Sequence, residues 1–297
     1  MKSEFAPAKV NLFLHVGAAR ADGFHPIGSL MAFADVGDRL TAEPFERFAL
    51  TVEGPTRTHA PAGEENLVLR AARALFEAAR VQPPAVRLIL DKQLPAEAGL
   101  GGGSSDAAAA LRLLRSVLDL GVSDGALLAI AAGLGSDIPA CVVGRPVIAQ
   151  GRGEQLSPAP DLPDLPAVLV RPPVASATGP VYRAFDSDSS ATGSAALPDL
   201  PRSFASPEAV AAFLANCRND LEAPAVGLQP VIGEALDVLK AAPEALLARM
   251  SGSGSACFAL CADAAAAGRL ATRLLAEQPH WWVRACVLTG GEAVAPK

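Results

Sequence analysis

The stretch PAEAGLGGGSSDAAAAL, residues 95–111, places four glycines directly before two serines, an aspartate and an apolar run with helical spacing. Glycine lets the backbone approach a ligand closely and adopt positive φ. We therefore predict a helix that begins at 104–106 and whose first N–H groups lack partners within the helix. Those donors, together with the positive end of the helix dipole, favour an anion, and phosphate is the anion that suits a loop this rich in glycine.

Other phosphate-binding loops do not fit this stretch. A P-loop needs a Lys after its last glycine, but Gly103 is followed by Ser104 and no Lys lies nearby. Dinucleotide-binding folds and protein kinases use a G-x-G-x-x-G motif, which needs a third glycine five residues after the first. A motif that starts at Gly99 has Ser104 at that position, and one that starts at Gly101 has Asp106. An ordinary helix N-cap remains an alternative, although a cap needs one polar residue rather than four glycines and two serines.

Length and composition limit the classes of protein. The 297 residues suffice for one large domain or two of ordinary size, and 51% hydrophobic residues supply a large core. A net charge of −6 argues against a general nucleic-acid or anionic-membrane surface. We find no secretory signal and no apolar run of the ~18 residues that span a membrane, and the odd, scattered cysteines favour buried free thiols. These features predict a cytoplasmic protein without nucleic-acid or membrane partners, although a small basic pocket for a nucleotide is still compatible with them.

The N-terminal segment FAPAKVNLFLHV, residues 5–16, alternates as a β-strand does. One predicted face carries Val10, Leu12, Leu14 and Val16, and the other carries Lys9, Asn11, Phe13 and His15. Only 5 of the 25 basic residues are Lys, so a Lys beside Asn11 indicates a need for a compact ammonium group. A solvated edge strand explains the polar face equally well.

Two loops carry further candidate residues. In RADGFHPIGSLMAF, Phe24 and His25 follow an Asp-Gly turn, where binding residues are common but a lone surface His is commoner. In GLGSDIPA, Pro139 biases Ile138 away from helical geometry, so Asp137 lies in a loop or just before a new element. A carboxylate there either caps a turn or orients and deprotonates a hydroxyl near the phosphate loop.

Coarse patterns place the remaining elements. Glycine, proline and aspartate accumulate at 151–166, where we place a domain boundary, and 186–207 is of low complexity and predicts a mobile loop. The sequence Ser-Gly-Ser-Gly-Ser at 251–255 precedes an apolar strand, which fits either a second glycine loop that closes over the first or a tight turn into the strand. Helices are predicted at 66–80 (capped near Asn66), 106–120, 124–134, 207–216, 230–241 and 264–277, and strands at 39–53, 85–92, 167–173 and 282–288.

The motifs PAKVNLFLHV, GLGGGSSDAAAAL and MSGSGSACFAL, in this order, resemble those of the GHMP kinase superfamily. The resemblance covers nearly the whole chain, least so at 186–207. It implies an α+β fold of two domains, 1–155 with the ATP phosphate loop and 156–297 with a ferredoxin-like layer. The active site is then expected in the cleft between the domains.

Four further stretches, RADGFHPIGSLM, EENLVLRAA, GSDIPACV and RNDLEAPAV, resemble one branch of that superfamily. The resemblance implies ATP-dependent phosphorylation of the 2-hydroxyl of CDP-methylerythritol in the non-mevalonate isoprenoid pathway. Lys9 and Asp137 match the family's catalytic pair. Mg²⁺ is expected with the ATP, its protein ligands are unknown, and the enzyme is expected to be a monomer or a homodimer.

The resemblance also assigns binding residues. Phe24 stands where many relatives have Tyr, so stacking on a base survives but a hydroxyl hydrogen bond does not. Thr178 matches a substrate-contacting segment, although Ala177 and Gly179 flank it. The expected ATP contacts are Pro95, Gly99, Leu100, Gly101, Gly102, Gly103, Ser104 and Ser105, with Asn66 and Lys92 near the adenine. The expected substrate contacts are Asn11, Phe24, His25 and Thr178, of which His25 matches the family residue that hydrogen-bonds the cytosine edge.

Two alternatives remain from the sequence. One is another GHMP kinase, acting on homoserine or mevalonate, which the Phe24-His25 pair and the lack of a carboxylate-binding Arg motif disfavour. The other is a catalytically inactive GHMP-fold sensor that binds nucleotide and a partner, which the presence of Lys9, Asp137 and the glycine loop disfavours.

Overall fold

A computed structural model describes residues 2–61, 63–187 and 193–291. Its strands are β1 (Lys2–Val16), β2 (Ile27–Pro44), β3 (Ala49–Glu53), β4 (Val86–Asp91), β5 (Val147–Gly151), β6 (Gln155–Pro158), β7 (Leu165–Arg171), β8 (Ala245–Met250), β9 (Cys257–Cys261) and β10 (Trp282–Leu288). Its helices are α1 (Leu67–Ala79), α2 (Gly102–Val117), α3 (Asp124–Leu134), α4 (Ile138–Val143), α5 (Thr178–Ser187), α6 (Pro207–Leu214), α7 (Glu222–Leu228), α8 (Pro230–Lys240) and α9 (Ala264–Glu277).

The long strand β2 organises the N-terminal half of the sheet. One of its edges pairs with β1 along almost the whole of β1, in antiparallel register. Along its other edge, β2 pairs first with β5, then through a single residue pair with β10, and then with β4. The parallel strand β3 extends the sheet beyond β4, and β6 extends it beyond β5.

The C-terminal strands lie in the order β10-β7-β9-β8, with every neighbouring pair antiparallel. In chain order this is fourth-first-third-second, the arrangement of a ferredoxin-like layer. The expected α+β fold and ferredoxin-like C-terminal layer are therefore confirmed. The single pair between Leu288 of β10 and Ala34 of β2 joins the two halves into one ten-stranded sheet.

Strand β1 is buried on both faces from Ala6 to Val16, so the alternative of a solvated edge strand is wrong. The expected face assignment is also wrong. The register shift between Asn11 and Phe13 leaves Leu12 as an extra residue on β1, a β-bulge that exchanges the two faces, whereas at the shift between Pro7 and Lys9 the extra residues lie on β2. As a result Leu12 and Phe13 pack in the same apolar cluster, whereas Leu14 packs in the other.

Helix α2 begins two residues earlier than the earliest predicted start. Gly101 adopts φ 64° and precedes the first residue of the helix, so Gly102 and Gly103 belong to its first turn rather than to the loop. The prediction for α1 is confirmed, because Asn66 accepts a hydrogen bond from the Val68 N–H and caps the helix. The predicted helix at 264–277 and strand at 282–288 are observed with the same bounds.

Helices α5 and α7 lie in segments where no element was predicted. Part of the predicted mobile loop, 188–192, lies outside the described residues. Within its described remainder, the Asp161 N–H donates to the Arg202 carbonyl and the Phe204 N–H donates to the Asp161 carbonyl. The mobility of 186–207 stays a prediction, as does the domain boundary at 155.

All five cysteines are free and buried, as the sequence predicts: Cys141, Cys217, Cys257, Cys261 and Cys286. Burial raises the pKa of the Cys141 thiol to about 12, so this thiol is protonated and unreactive at neutral pH. In the part of the chain that the structure describes, no helix is both long and apolar enough to cross a membrane.

Candidate active site

A cleft of about 1370 Å³ is lined by residues of both halves of the chain. It collects residues from β1, the loop before β2, the start of α2, the approach to α4 and the start of α5. Of the predicted site residues it is lined by Lys9, Asn11, Phe24, His25, Asn66, Lys92, Pro95, Gly99, Leu100, Gly101, Gly102, Gly103, Ser104, Asp137 and Thr178.

Ser105 is the predicted site residue that does not line this cleft. Its side chain is buried, and its hydroxyl donates to the Pro7 carbonyl at 2.6 Å. Its N–H makes the first helical hydrogen bond of α2, to the Gly101 carbonyl. Because both groups are occupied, Ser105 fastens α2 to β1 and offers nothing to a nucleotide.

Lys9 and Asp137 meet at the floor of the cleft. The Lys9 Nζ lies 3.0 Å from Asp137 Oδ2, and it also donates to Asn11 Oδ1 at 2.7 Å. The Lys9 residue is 3% exposed, whereas 30% of the Asp137 side chain is accessible. The carboxylate of this pair is therefore the member that a ligand in the cleft can reach.

Lys9 also lies against the glycine loop. Its N–H donates to the Leu100 carbonyl at 2.8 Å, and a Cβ on Gly101 would approach the Lys9 Cε to 3.1 Å. The N–H groups of Gly102, Gly103 and Ser104 precede the first helical hydrogen bond of α2, so they have no partner within the helix. The ammonium group and these amides thus surround the same end of α2.

The second glycine loop lies on the first, so of the two sequence interpretations the one with contacting loops is observed. The Ser251 hydroxyl donates to the Gly99 carbonyl at 2.9 Å, and the Ala256 N–H donates to the Ala98 carbonyl at 2.9 Å. Asn219, in the RNDLEAPAV stretch, holds this loop by donating to the carbonyls of Met250 and Gly252. The C-terminal half therefore supports the first glycine loop directly.

Asn11 is buried, and its side-chain amide is bonded at both ends. Its oxygen accepts from Lys9 and its nitrogen donates to the Ser29 hydroxyl at 2.8 Å, while its N–H donates to the Ser251 hydroxyl. The adjacent bulge residue Leu12 has its carbonyl bound by the buried guanidinium of Arg249. Asn11 therefore orients the Lys9 ammonium within a rigid frame.

Lys92 forms a buried ion cluster with Asp38 and Asp106. Burial lowers the pKa of Lys92, but the two carboxylates outweigh it and the net shift is upward. Burial raises the pKa of Asp106 well above its ordinary value, against the attraction of Lys92. Two carboxylates thus share one ammonium, and Asp106 Oδ1 is buried without a hydrogen-bond partner.

The loop after β1 and helix α5 build the other end of the cleft. His25 Nε2 lies 2.7 Å from Asp186 Oδ1, and the His25 ring packs 4.8 Å from the Tyr182 ring and 5.8 Å from the Phe185 ring. Phe24 is 50% exposed. These rings provide an apolar, partly open position for a flat group.

At the start of α5, the Thr178 hydroxyl lies 3.0 Å from the Ser253 hydroxyl, and the Ser176 hydroxyl donates to the Ser253 carbonyl at 2.7 Å. The guanidinium of Arg152 lies 4.9 Å from the centre of the Phe24 ring. Thr178 therefore lies between the second glycine loop and the aromatic end of the cleft. Its contact with substrate, which the resemblance implies, stays a prediction.

Sequence reasoning missed Tyr182, Asp186 and Arg152. Tyr182, Phe185 and Asp186 follow Thr178 at helical spacing, so a helix prediction over VYRAFD would have placed them on the face of Thr178. No local signal pairs Asp186 with His25, because the contact joins two distant segments. Arg152 follows β5 in a Gly-rich turn that reads only as a loop.

The described side chains of this site do not form a metal-binding cluster of their own. Within the described ranges, no group of three or more His, Cys, Asp or Glu side chains could hold a metal ion. The unpartnered Asp106 Oδ1 is adjacent to the Lys92 ammonium, whose charge opposes a bound cation. The described residues therefore do not form a preformed magnesium cage.

Two family models match the chain. Residues 66–145 match the GHMP kinases N terminal domain, which includes the glycine loop and Asp137. Residues 203–280 match the GHMP kinases C terminal domain, which includes the second glycine loop.

Curated relatives match over almost their whole length. A 4-diphosphocytidyl-2-C-methyl-D-erythritol kinase of Caulobacter vibrioides is 56% identical over 288 residues, covering 97% of this chain and 99% of the relative. An enzyme of the same name from Hyphomonas neptunium is 49% identical over 288 residues, covering 95% of each.

Solved structures agree with these matches. A crystal structure of 4-(cytidine 5'-diphospho)-2C-methyl-D-erythritol kinase superposes with a TM-score of 0.78 at 38% identity, covering 98% of this chain and 100% of that chain. A mevalonate kinase superposes with a TM-score of 0.69 at 10% identity, covering 97% and 100%, and shows the shared fold alone. From the two domain matches and the full-length relatives, the chain belongs to the GHMP kinase family.

Proposed function

We propose that the chain transfers the γ-phosphoryl group of ATP to the 2-hydroxyl of 4-diphosphocytidyl-2-C-methyl-D-erythritol, in the non-mevalonate route to isoprenoid precursors. The observation that carries this is the Lys9–Asp137 pair at 3.0 Å, located against the amides that begin α2. Full-length relatives of the same named activity, at 56% identity, support the choice of substrate.

The chemistry follows from this arrangement. Phosphoryl transfer depends mainly on positioning and on stabilising charge. The unpaired amides of Gly102, Gly103 and Ser104 bind the phosphates of ATP. Asp137 accepts the hydroxyl proton as the new oxygen–phosphorus bond forms and the bond to the ADP oxygen breaks. Lys9 pairs with Asp137 and stabilises the charge that develops on the transferred group.

The two ends of the cleft suit the two substrates. We place the nucleotide base toward Asn66 and Lys92, beyond the start of α2, and the cytidine toward Phe24 and His25. Because the Asn66 amide and the Lys92 ammonium already have protein partners, they shape this end rather than donate freely. Asn11 acts on the substrate through Lys9, which it orients.

We propose Mg²⁺ only as part of the nucleotide complex, held by phosphate oxygens and water, because no described cluster of side chains would hold it alone. We further propose that the enzyme works in the cytoplasm as a monomer or a homodimer.

The decisive experiment incubates the protein with ATP, Mg²⁺ and the cytidine diphosphate substrate and follows the product by phosphorus NMR. A new phosphomonoester on the substrate is expected. A panel with homoserine and mevalonate, read as ADP release, should give no comparable rate. Phosphorylation of either alternative alcohol in preference would overturn the substrate assignment.

Asp137→Asn tests the proton acceptor. We expect a loss of turnover of about 10²–10⁴-fold with ATP binding retained, because the carboxamide preserves shape but accepts no proton. Asp124→Asn is the matched control, since its carboxylate lies at the surface on α3. Unchanged turnover in Asp137→Asn would remove this residue from the reaction.

A further inference from the structure

Away from the Lys9–Asp137 pair, the cleft contains a contact between His25 and Asp186. The His25 Nε2 lies 2.7 Å from Asp186 Oδ1, and His25 is 9% exposed. Among the described residues, Asp186 has no other ion-pair partner, and 45% of its side chain is accessible. This carboxylate lines the cleft, yet the phosphoryl transfer described above does not use it.

We propose that Asp186 is a positioning residue that determines which base the cleft accepts, by setting the tautomer of His25. The proposal rests on the proposed function, because it concerns the cytidine end of the same cleft. It assigns Asp186 no contact with the reacting atoms.

The tautomer follows from the chemistry of the pair. A carboxylate oxygen only accepts, so the Nε2 at 2.7 Å from it must carry the proton. In a neutral imidazole the other nitrogen, Nδ1, then has a free lone pair and acts only as an acceptor. Nδ1 has no hydrogen-bond partner among the side chains and backbone that the structure describes.

An acceptor at this position distinguishes the two pyrimidines. Cytosine presents an amino group on its Watson–Crick edge, which can donate to Nδ1, whereas uracil presents a carbonyl oxygen at the same place. Two facing acceptors repel and both remain unpaired in a partly buried site, which is the situation that gives strong discrimination between otherwise similar ligands.

The surroundings of the pair keep this arrangement in place. The His25 ring is packed against the rings of Tyr182 and Phe185, both of which belong to α5. Val181 and Phe185 anchor α5 in the core, independently of the accessible Asp186. Removing the Asp186 charge is therefore expected to change the imidazole proton rather than the fold.

Asp186→Asn is the test variant, because an amide can present either its oxygen or its nitrogen to Nε2 and so permits both tautomers. The kcat/KM for the cytidine substrate and for its uridine analogue would be measured at about pH 8, where a free imidazole is mostly neutral. We expect the cytidine-to-uridine ratio to fall by at least about tenfold, through KM for the pyrimidine substrate, with the KM for ATP unchanged.

Asp237→Asn on α8 is the matched control, since Asp237 is exposed and lies outside the cleft. Nitrogen-15 NMR of the imidazole groups gives a readout without turnover. The chain has only 4 histidines, and a His25→Gln variant assigns the signal of interest. We expect His25 as the Nε2–H form in the wild type and as a mixture in Asp186→Asn.

The outcomes separate the two proposals. If the wild type fails to phosphorylate the cytidine substrate, the proposed function is wrong. If the wild type phosphorylates it and Asp186→Asn keeps the wild-type base ratio, the positioning role is wrong. An Nδ1–H form of His25 in the wild type would also overturn the positioning role, whatever the kinetics.

Discussion

At the scale of single residues, the two carboxylates that contact Lys92 differ in how well their oxygens are hydrogen-bonded. Asp38 is fully buried, and Asp38 Oδ1 accepts from the N–H groups of Gln93 and Leu94, which lead into the phosphate loop. Asp106 has one unpartnered oxygen and a raised pKa caused first by burial. The two carboxylates therefore contribute differently to stability, although both contact the same ammonium.

We predict that the free energy of unfolding of Asp106→Asn, measured relative to wild type, increases as pH rises. A carboxyl whose pKa is raised on folding holds its proton more tightly in the native state, so its contribution to stability falls as pH rises above the ordinary value of about 3.9. Asparagine does not titrate, so the variant lacks this decline in stability with rising pH. Chemical unfolding at about pH 5 and pH 8 should show a gain for the variant relative to wild type of about 1 kcal/mol or more.

Asp38→Asn is the comparison. It weakens the interaction with Lys92 and with two loop amides, and we expect it to lower the free energy of unfolding by about 2–4 kcal/mol. A larger loss in Asp106→Asn at pH 8 than at pH 5 would show instead that the ionised Asp106 stabilises the native state.

At the scale of elements, the glycine loop and the first turn of α2 use their glycines for different reasons. Gly99 adopts φ 71°, and a Cβ there would lie 2.1 Å from the Ser251 carbonyl oxygen. Gly103 lies within the helix, and its Cβ would meet only the Leu67 Cδ1, at 3.4 Å. The first glycine is needed for the contact between loops, whereas the second leaves room on the cleft side.

Alanine substitutions should separate these reasons. We expect Gly99→Ala to lower the free energy of unfolding by about 3 kcal/mol and to abolish turnover, because backbone must move. Gly103→Ala should leave stability unchanged or raise it by up to about 1 kcal/mol, since Ala favours helix. Its KM for ATP should nevertheless rise, by roughly tenfold, if phosphate lies against this turn.

Thermal unfolding and the KM for ATP are the two measurements for both variants. Gly121→Ala serves as a control, because a Cβ at Gly121 meets nothing within 4 Å and the residue lies outside the cleft. A Gly103→Ala variant with an unaltered KM for ATP would contradict phosphate binding at the start of α2.

At the scale of the whole molecule, the two halves share a sheet and a core. The Thr289 N–H donates to the Phe33 carbonyl at 3.0 Å, beside the pair that joins β10 to β2. One apolar cluster contains Phe33 from the first half and Val168 and Leu270 from the second. Burial of apolar surface therefore links the halves directly.

We predict that the protein unfolds in one cooperative transition, with far-ultraviolet circular dichroism and tryptophan fluorescence coinciding. A fragment of residues 1–155 is expected not to fold alone, because it would expose the half of the cluster that the second half covers. Two separate transitions, or a folded fragment, would show that the proposed domains are independent.

Local features of the sequence determined much of the architecture. Capping and apolar periodicity locate α1, α3 and α9, because these signals act within a few residues. The glycine cluster before an apolar helix predicts a phosphate loop by the same kind of local argument. The resemblance then supplied the family, and the pairing of Lys9 with Asp137 was expected only through it.

Only the tertiary structure decided where charges and hydrogen bonds are satisfied. The cluster of Lys92 with Asp38 and Asp106 and the contact of His25 with Asp186 join segments far apart in the chain, and the bulge at Leu12 depends on pairing with β2. A pattern of a few residues cannot encode such partners, because each partner is chosen by packing. Burial then makes an unpaired polar group costly, and so these contacts, rather than any motif, determine how the site is arranged.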